Sequence, residues 1–158
     1  MDIRLDDLSS EPSRALLRLH LEGMHASSPP GHVFALDYSG LKAPNVTVWS
    51  IWEGDAILGI GALRQIDAQS AEVKSMRTHP NHVRRGAARA LLEHIIAEAR
   101  LRGVRRLSLE TGSGPAFDAA LALYRSRGFV NGGPFAEYTK SEFSQFLHLD
   151  LDHTRSQS

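Results

Sequence analysis

Hydrophobic and polar positions change period several times along this chain. In SSEPSRALLRLHLEGMHA, residues 9–26, Leu16, Leu17, Leu21 and Met24 recur at the spacing of one helical face. Cap-type serines and a proline near the first turn predict where that helix begins. The period then drops to two. In NVTVWSIWEGDAILGIGALRQID, residues 45–67, Val46, Val48, Ser50 and Trp52 alternate with Thr47, Trp49 and Ile51. With EGD as a turn, the stretch predicts a hairpin. Trp49 and Trp52 then face opposite ways, so at least one belongs to the core. DIRLDD near the start and AEVKSMRTH, residues 71–79, predict two more strands, the second ended by Pro80.

Helical spacing returns in GAARALLEHIIAEARLRG, residues 86–103. Leu91, Leu92, Ile95, Ile96 and Ala99 form a buried stripe, and Gly103 offers a left-handed stop. VRRLSLET predicts another strand. AFDAALALYRSRG predicts a helix after Pro115, and Leu147, Leu149 and Leu151 mark a closing strand. Strands interleaved with helices imply an α/β domain with a mixed sheet covered on both faces. One domain is expected over residues 1–152, followed by a short polar tail at 153–158.

Composition narrows the function classes. Lys and Arg number 18, as do Asp and Glu, so the chain lacks the basic excess that marks a nucleic-acid binder. It has no cysteine, which excludes disulfides, thiolate metal sites and a cysteine nucleophile. The acidic start MDIRLDDLSS has no signal-peptide core, and no apolar run reaches membrane-span length. A cytoplasmic protein with no nucleic-acid or membrane partner is expected, and the sequon at Asn45–Thr47 reads as accidental. No metal site is expected. His20 and His25 diverge on a helix, and His79 and His82 sit in a loop without a nearby carboxylate.

The stretch THPNHVRRGAARALLEHI places two arginines and a glycine where a strand gives way to a helix. Free N–H groups and a partial positive charge make a helix N-terminus an anion seat. Gly86 would admit a ligand close to the backbone, Ala87 and Ala88 keep the approach narrow, and Arg84 and Arg85 can bond phosphate oxygens. A glycine turn with two solvated arginines explains the local sequence equally well. The stretch lacks the Lys-Ser/Thr of a P-loop and the repeated glycines of a dinucleotide fingerprint.

Taken with the order of elements, these residues resemble the GNAT family (GCN5-related N-acetyltransferases). The family's phosphate motif, Arg/Gln-x-x-Gly-x-Gly/Ala, falls on Val83-Arg84-Arg85-Gly86-Ala87-Ala88, with Val83 departing at the first position. LYRSRGF, residues 123–129, resembles the Leu-Tyr-x-x-x-Gly-Phe signature, and GPFAEYTKSEFSQFLHLDL resembles the ending of small bacterial members. Phe117 stands where the family often has Asn. The resemblance covers Ile3 to Leu151. It implies a single-domain GNAT-like fold with a mostly antiparallel central sheet.

It also implies an acyltransferase that moves an acetyl group from acetyl-CoA to a primary amine, on a small molecule or a protein, with no metal. A homodimer is compatible with it. The loop of Arg84, Arg85, Gly86, Ala87, Ala88 and Arg89 would seat the pyrophosphate of CoA. The backbone of Met76, Arg77 and Thr78 would pair with the pantetheine arm. An N–H near Met76 would serve the oxyanion.

Attack requires a neutral amine, and an alkylamine has a pKa of about 10.4, so a base is useful. Glu72 is the candidate base, expected to share a strand face with Lys74 and Met76, and Glu110 is the competing carboxylate. Tyr124 is the candidate acid for the leaving thiolate. His20, Glu22, Arg77 and Tyr138 are candidates to line the acceptor pocket. The alternative reading is a non-catalytic acyl-CoA-binding sensor or scaffold, which needs neither Glu72 nor Tyr124.

Overall fold

A computed structural model describes residues 1–34 and 36–151. The expected tail at 153–158 lies outside the described residues. The elements run β1 (Asp2–Leu5), α1 (Glu11–Ser27), α2 (Tyr38–Leu41), β2 (Val46–Glu53), β3 (Ala56–Gln65) and β4 (Ser70–Thr78). They continue with α3 (Ala87–Leu101), β5 (Arg106–Thr111), α4 (Asp118–Ser126), β6 (Val130–Gly132) and β7 (Gln145–Asp150). One seven-stranded sheet has the order β1-β2-β3-β4-β5-β7-β6. Every pairing is antiparallel except β4 with β5. Among the described residues no helix is long and apolar enough to cross a membrane, and no cluster of three metal-ligating side chains occurs.

Alternation along the strands divides the core in two. Trp49, Ile51, Leu63, Val73, Leu107, Leu109 and Leu147 point to the face covered by α3 and α4. Val48, Trp52, Ile60 and Ala62 point to the other face, under α1 and α2. Both tryptophans are therefore core residues, one on each side. The stripe of α3 is as expected. Leu91, Leu92 and Ile95 are fully buried, and each would cost about 2–5 kcal/mol to cut to alanine. The short strand β6 has no counterpart among the elements expected from the sequence. It is three exposed residues held by β7.

Two irregularities of β4 position everything that follows. Its pairing with β5 lasts for Ser70, Ala71 and Glu72 only, opposite Arg106, Leu107 and Ser108. Beyond this, β4 runs on with β3 as its partner and β5 with β7, so the two central strands part and leave a wedge. The second irregularity is a bulge. Lys74 faces Ala62 and Arg77 faces Ile60, so Ser75 and Met76 both oppose Gly61. Ser75 takes a left-handed conformation, φ 59°, which costs a non-glycine residue about 1–2 kcal/mol.

The bulge corrects the expected alternation. Glu72 and Lys74 share the α1-side face, but Met76 is turned to the opposite face, against Ile95 of α3, and Arg77 takes its place. Gly61 makes room, since a Cβ there would stand 2.6 Å from the Met76 sulfur.

Candidate active site

The wedge between β4 and β5 opens into a cleft of about 710 Å³, walled by β4, α1, the start of α3, the end of β5 and α4. At one side of it lies the N-terminus of α3. Gly86 has φ 84°, and no side chain caps the first turn. By contrast α1 is capped by Ser10 and α2 by Asp37. The N–H groups of the first turn of α3 are thus left for a ligand. Gly86, Ala87, Ala88, Arg84 and Arg89 line the cleft with Met76, Arg77 and Thr78. Arg85 does not. Its guanidinium turns away to Glu53 at the end of β2 and to His82.

Tyr124 is buried on α4 and lines the cleft from the far wall. Burial pushes its hydroxyl up to about 12, partly opposed by the charge of Arg77. The group therefore stays protonated at neutral pH, as a proton donor must.

Glu72 is at the last β4–β5 pair and only 1% exposed. Arg64, directly opposite on β3, donates to one carboxylate oxygen from Nε at 2.8 Å and from its terminal nitrogen at 2.7 Å. The Tyr138 hydroxyl donates to the other oxygen at 2.6 Å, and Lys74 Nζ approaches the same oxygen at 3.3 Å. Lys74 also donates to Tyr138 at 2.7 Å, and Arg64 reaches on to Glu137 at 3.0 Å. Burial and the Glu72 charge both hold the Tyr138 hydroxyl protonated. Both oxygens of Glu72 are thus occupied by donors that a buried ion pair cannot lose cheaply.

Glu110 lies two residues past Ser108 on β5, on the same sheet face but beyond the last pair with β4. It is half-buried, lines the cleft and forms no ion pair among the described residues. Burial raises its carboxyl above the usual glutamate value. The Ser144 hydroxyl, close by although outside ordinary hydrogen-bond geometry, acts against that rise. Lys74 opposes it too, whereas the charge of Glu72 adds to it. A carboxylate in this state is a better proton acceptor than a solvated one.

On the α1 wall, His20 is buried and accepts from Arg77 Nε at 3.1 Å on its Nδ1. Burial, and next the Arg77 charge, drive the imidazole down to about 3, so it is neutral. Glu22 is exposed and does not line the cleft, and Tyr138 is committed to Glu72 and Lys74. Sequence reasoning missed Arg64, whose only signal is its place opposite Glu72 in the hairpin. It also missed Ser75, whose buried hydroxyl lines the cleft with no hydrogen-bond partner among the described residues.

A profile of the Acetyltransferase (GNAT) family matches residues 13–129. The chain is 46% identical over 151 residues to the uncharacterized N-acetyltransferase YsnE of Bacillus subtilis, covering 96% of this chain and 100% of that protein. It is also 46% identical over 149 residues to the uncharacterized N-acetyltransferase YedL of Escherichia coli, covering 94% of each. Among solved structures, a GNAT family acetyltransferase from Elizabethkingia anophelis with acetyl-CoA bound superposes with a TM-score of 0.62 at 16% identity, over 95% of this chain and 97% of that one.

Proposed function

The chain belongs to the acetyltransferase (GNAT) family and is an N-acetyltransferase. From that premise we propose that it uses acetyl-CoA bound in the wedge between β4 and β5, with Glu110 as the base and Tyr124 as the acid. One observation carries the reading: a single cleft joins an uncapped helix start, an unpaired strand edge, a free carboxylate and a protonated tyrosine.

The residues fit an acyl-CoA substrate. The first turn of α3 and Arg84 supply donors for phosphate. The unpaired edge of residues 73–78 offers peptide groups to an amide-bearing arm. Acetyl-CoA brings the acyl group as a thioester, and the chain supplies the proton traffic. Glu110 takes a proton from the substrate ammonium, directly or through water; the neutral amine then adds to the thioester carbonyl, and as the C–S bond breaks the nitrogen's surplus proton is lost to water. The Tyr124 hydroxyl gives one to the departing sulfur. Glu72, locked by Arg64, Lys74 and Tyr138, fixes the floor of the cleft and takes no part in proton transfer.

The test is release of free thiol from acetyl-CoA with a panel of primary amines. Amine-dependent release is expected. CoA binding without any such release over a broad panel would favour a sensor instead.

A further inference from the structure

Arg77 is not explained by the chemistry above. It is half-buried where β4 runs along the open wedge, and its neighbours on α1 are built around it. Its Nε donates to a neutral histidine, and a terminal nitrogen makes a long 3.4 Å contact with the His20 carbonyl. A Cβ on Gly23 would stand 2.9 Å from that nitrogen, so glycine is what lets the guanidinium lie flat against α1. No carboxylate pairs with it among the described residues. Other cations of the cleft are provided for: Lys74 by Glu72 and Arg89 by Glu93. Arg84 also lacks an acidic partner, but it is exposed in the loop that leads into α3. A guanidinium taken part-way out of water without a counter-charge is costly unless a ligand supplies the anion.

The direction of the side chain separates two sources for that anion. The phosphates of CoA belong with the α3 start. The bulge sends Met76 to the α3 side and Arg77 to the α1 side, where its guanidinium meets His20 and Gly23. We infer that Arg77 binds a carboxylate on the acceptor, so that the acetylated substrate is a primary amine that also carries a carboxylate. This rests on the acetyltransferase reading above. Glu110 on β5 then faces the ammonium end of the same molecule, and the two walls of the wedge are matched to its two charges.

The experiment compares amines that differ only by the carboxylate: L-phenylalanine against phenethylamine, β-alanine against ethylamine, and γ-aminobutyrate against propylamine. Steady-state kcat/KM is measured with acetyl-CoA for each. The wild type is expected to favour at least one carboxylate-bearing member by about 10–100-fold, the range for a charged hydrogen-bonded pair. Arg77→Gln should collapse that ratio toward unity. Arg77→Lys, which keeps the charge but not the fork, should leave an intermediate ratio, and Gly23→Ala should lower it by crowding the guanidinium. Each variant serves as its own reference, so a loss of folded protein cancels. Titration of CoA onto Arg77→Gln should give the wild-type affinity. A tenfold weaker CoA with the ratio intact would assign Arg77 to a phosphate and overturn the inference. Turnover of these amines with no carboxylate preference would overturn it too, leaving acyl transfer standing. No turnover with any of them, while CoA still binds, would contradict the acetyltransferase reading and the inference together.

Discussion

Glu72 and Glu110 sit on one face of one sheet, at the two sides of the point where β4 and β5 separate. Glu72 is inside the closed seam, where the neighbouring strand brings Arg64 to its carboxylate and the 133–144 loop brings Tyr138. Glu110 is just past the opening, where β4 no longer covers it. The residue type is the same and the register differs by two positions, yet one carboxylate is held by three donors and the other forms no ion pair among the described residues. Strand splay, more than residue identity, decides which carboxylate is engaged.

The largest expected effect would break the closed side. Glu72→Ala leaves buried Lys74 without its counter-charge and leaves half-buried Arg64 with Glu137 alone, and chemical denaturation should show a loss of about 3–5 kcal/mol. Glu110→Gln should change stability by less than about 1 kcal/mol. The sign follows from its raised carboxyl. A group that binds protons more tightly when folded weakens the fold once the pH is above both values, so a neutral replacement is neutral or mildly stabilising. Similar losses for the two variants would remove the distinction.

Next is the open side. Glu110→Gln should lower turnover at neutral pH about 10²-fold with CoA affinity kept, and the deficit should shrink at high pH as the amine deprotonates unaided. At a temperature where both variants are folded, Glu72→Gln should lose far less. The reverse ranking in steady-state assays would return the base to Glu72. On the opposite wall, Tyr124→Phe should cost about 10–100-fold, or roughly 1.4–2.7 kcal/mol of barrier. An acyl donor with a more acidic thiol should recover part of that loss. Equal ratios for the two donors would take the proton-donor role from Tyr124.

The smallest effect concerns the α1 wall. The His20 imidazole is held near 3 when folded, against 6.5 unfolded. The unfolded chain therefore binds the extra proton first, and stability falls as pH drops from about 6 toward 4, by about 1 kcal/mol per unit. In urea titrations at several pH values, His20→Gln should lack that slope. An unchanged slope would mean that His20 is protonated in the folded protein.

Much of this was legible in the sequence because it is local. The α3 stripe, the cap at Ser10, the Gly86 junction and the hairpin alternation depend on residues close in the chain. What escaped depends on distant pairing. Nothing near Ser75 announces a left-handed residue, since the bulge is set by how β3 and β4 register around Gly61. That single extra residue overturned the expected common face of Glu72 and Met76 and exchanged Met76 for Arg77. Lys74 lies within AEVKS, but the other partners of Glu72 lie 8 and 66 positions away, so its full engagement could not be read from that stretch. Arg85 escaped for the same reason, being captured by Glu53, 32 positions earlier. Strand β6 is too short and too exposed to leave a pattern.

The two halves of β4 are most directly compared by amide hydrogen exchange with and without CoA. In the free protein, amides of residues 70–72 that bond to β5 should be protected, while those of residues 73–78 pointing away from β3 should exchange quickly. On adding CoA, the second group should slow markedly and the first should hardly change. Uniform protection along β4 in the free protein, or no slowing of residues 73–78 when CoA binds, would contradict the account of the open wedge as the acyl-CoA seat.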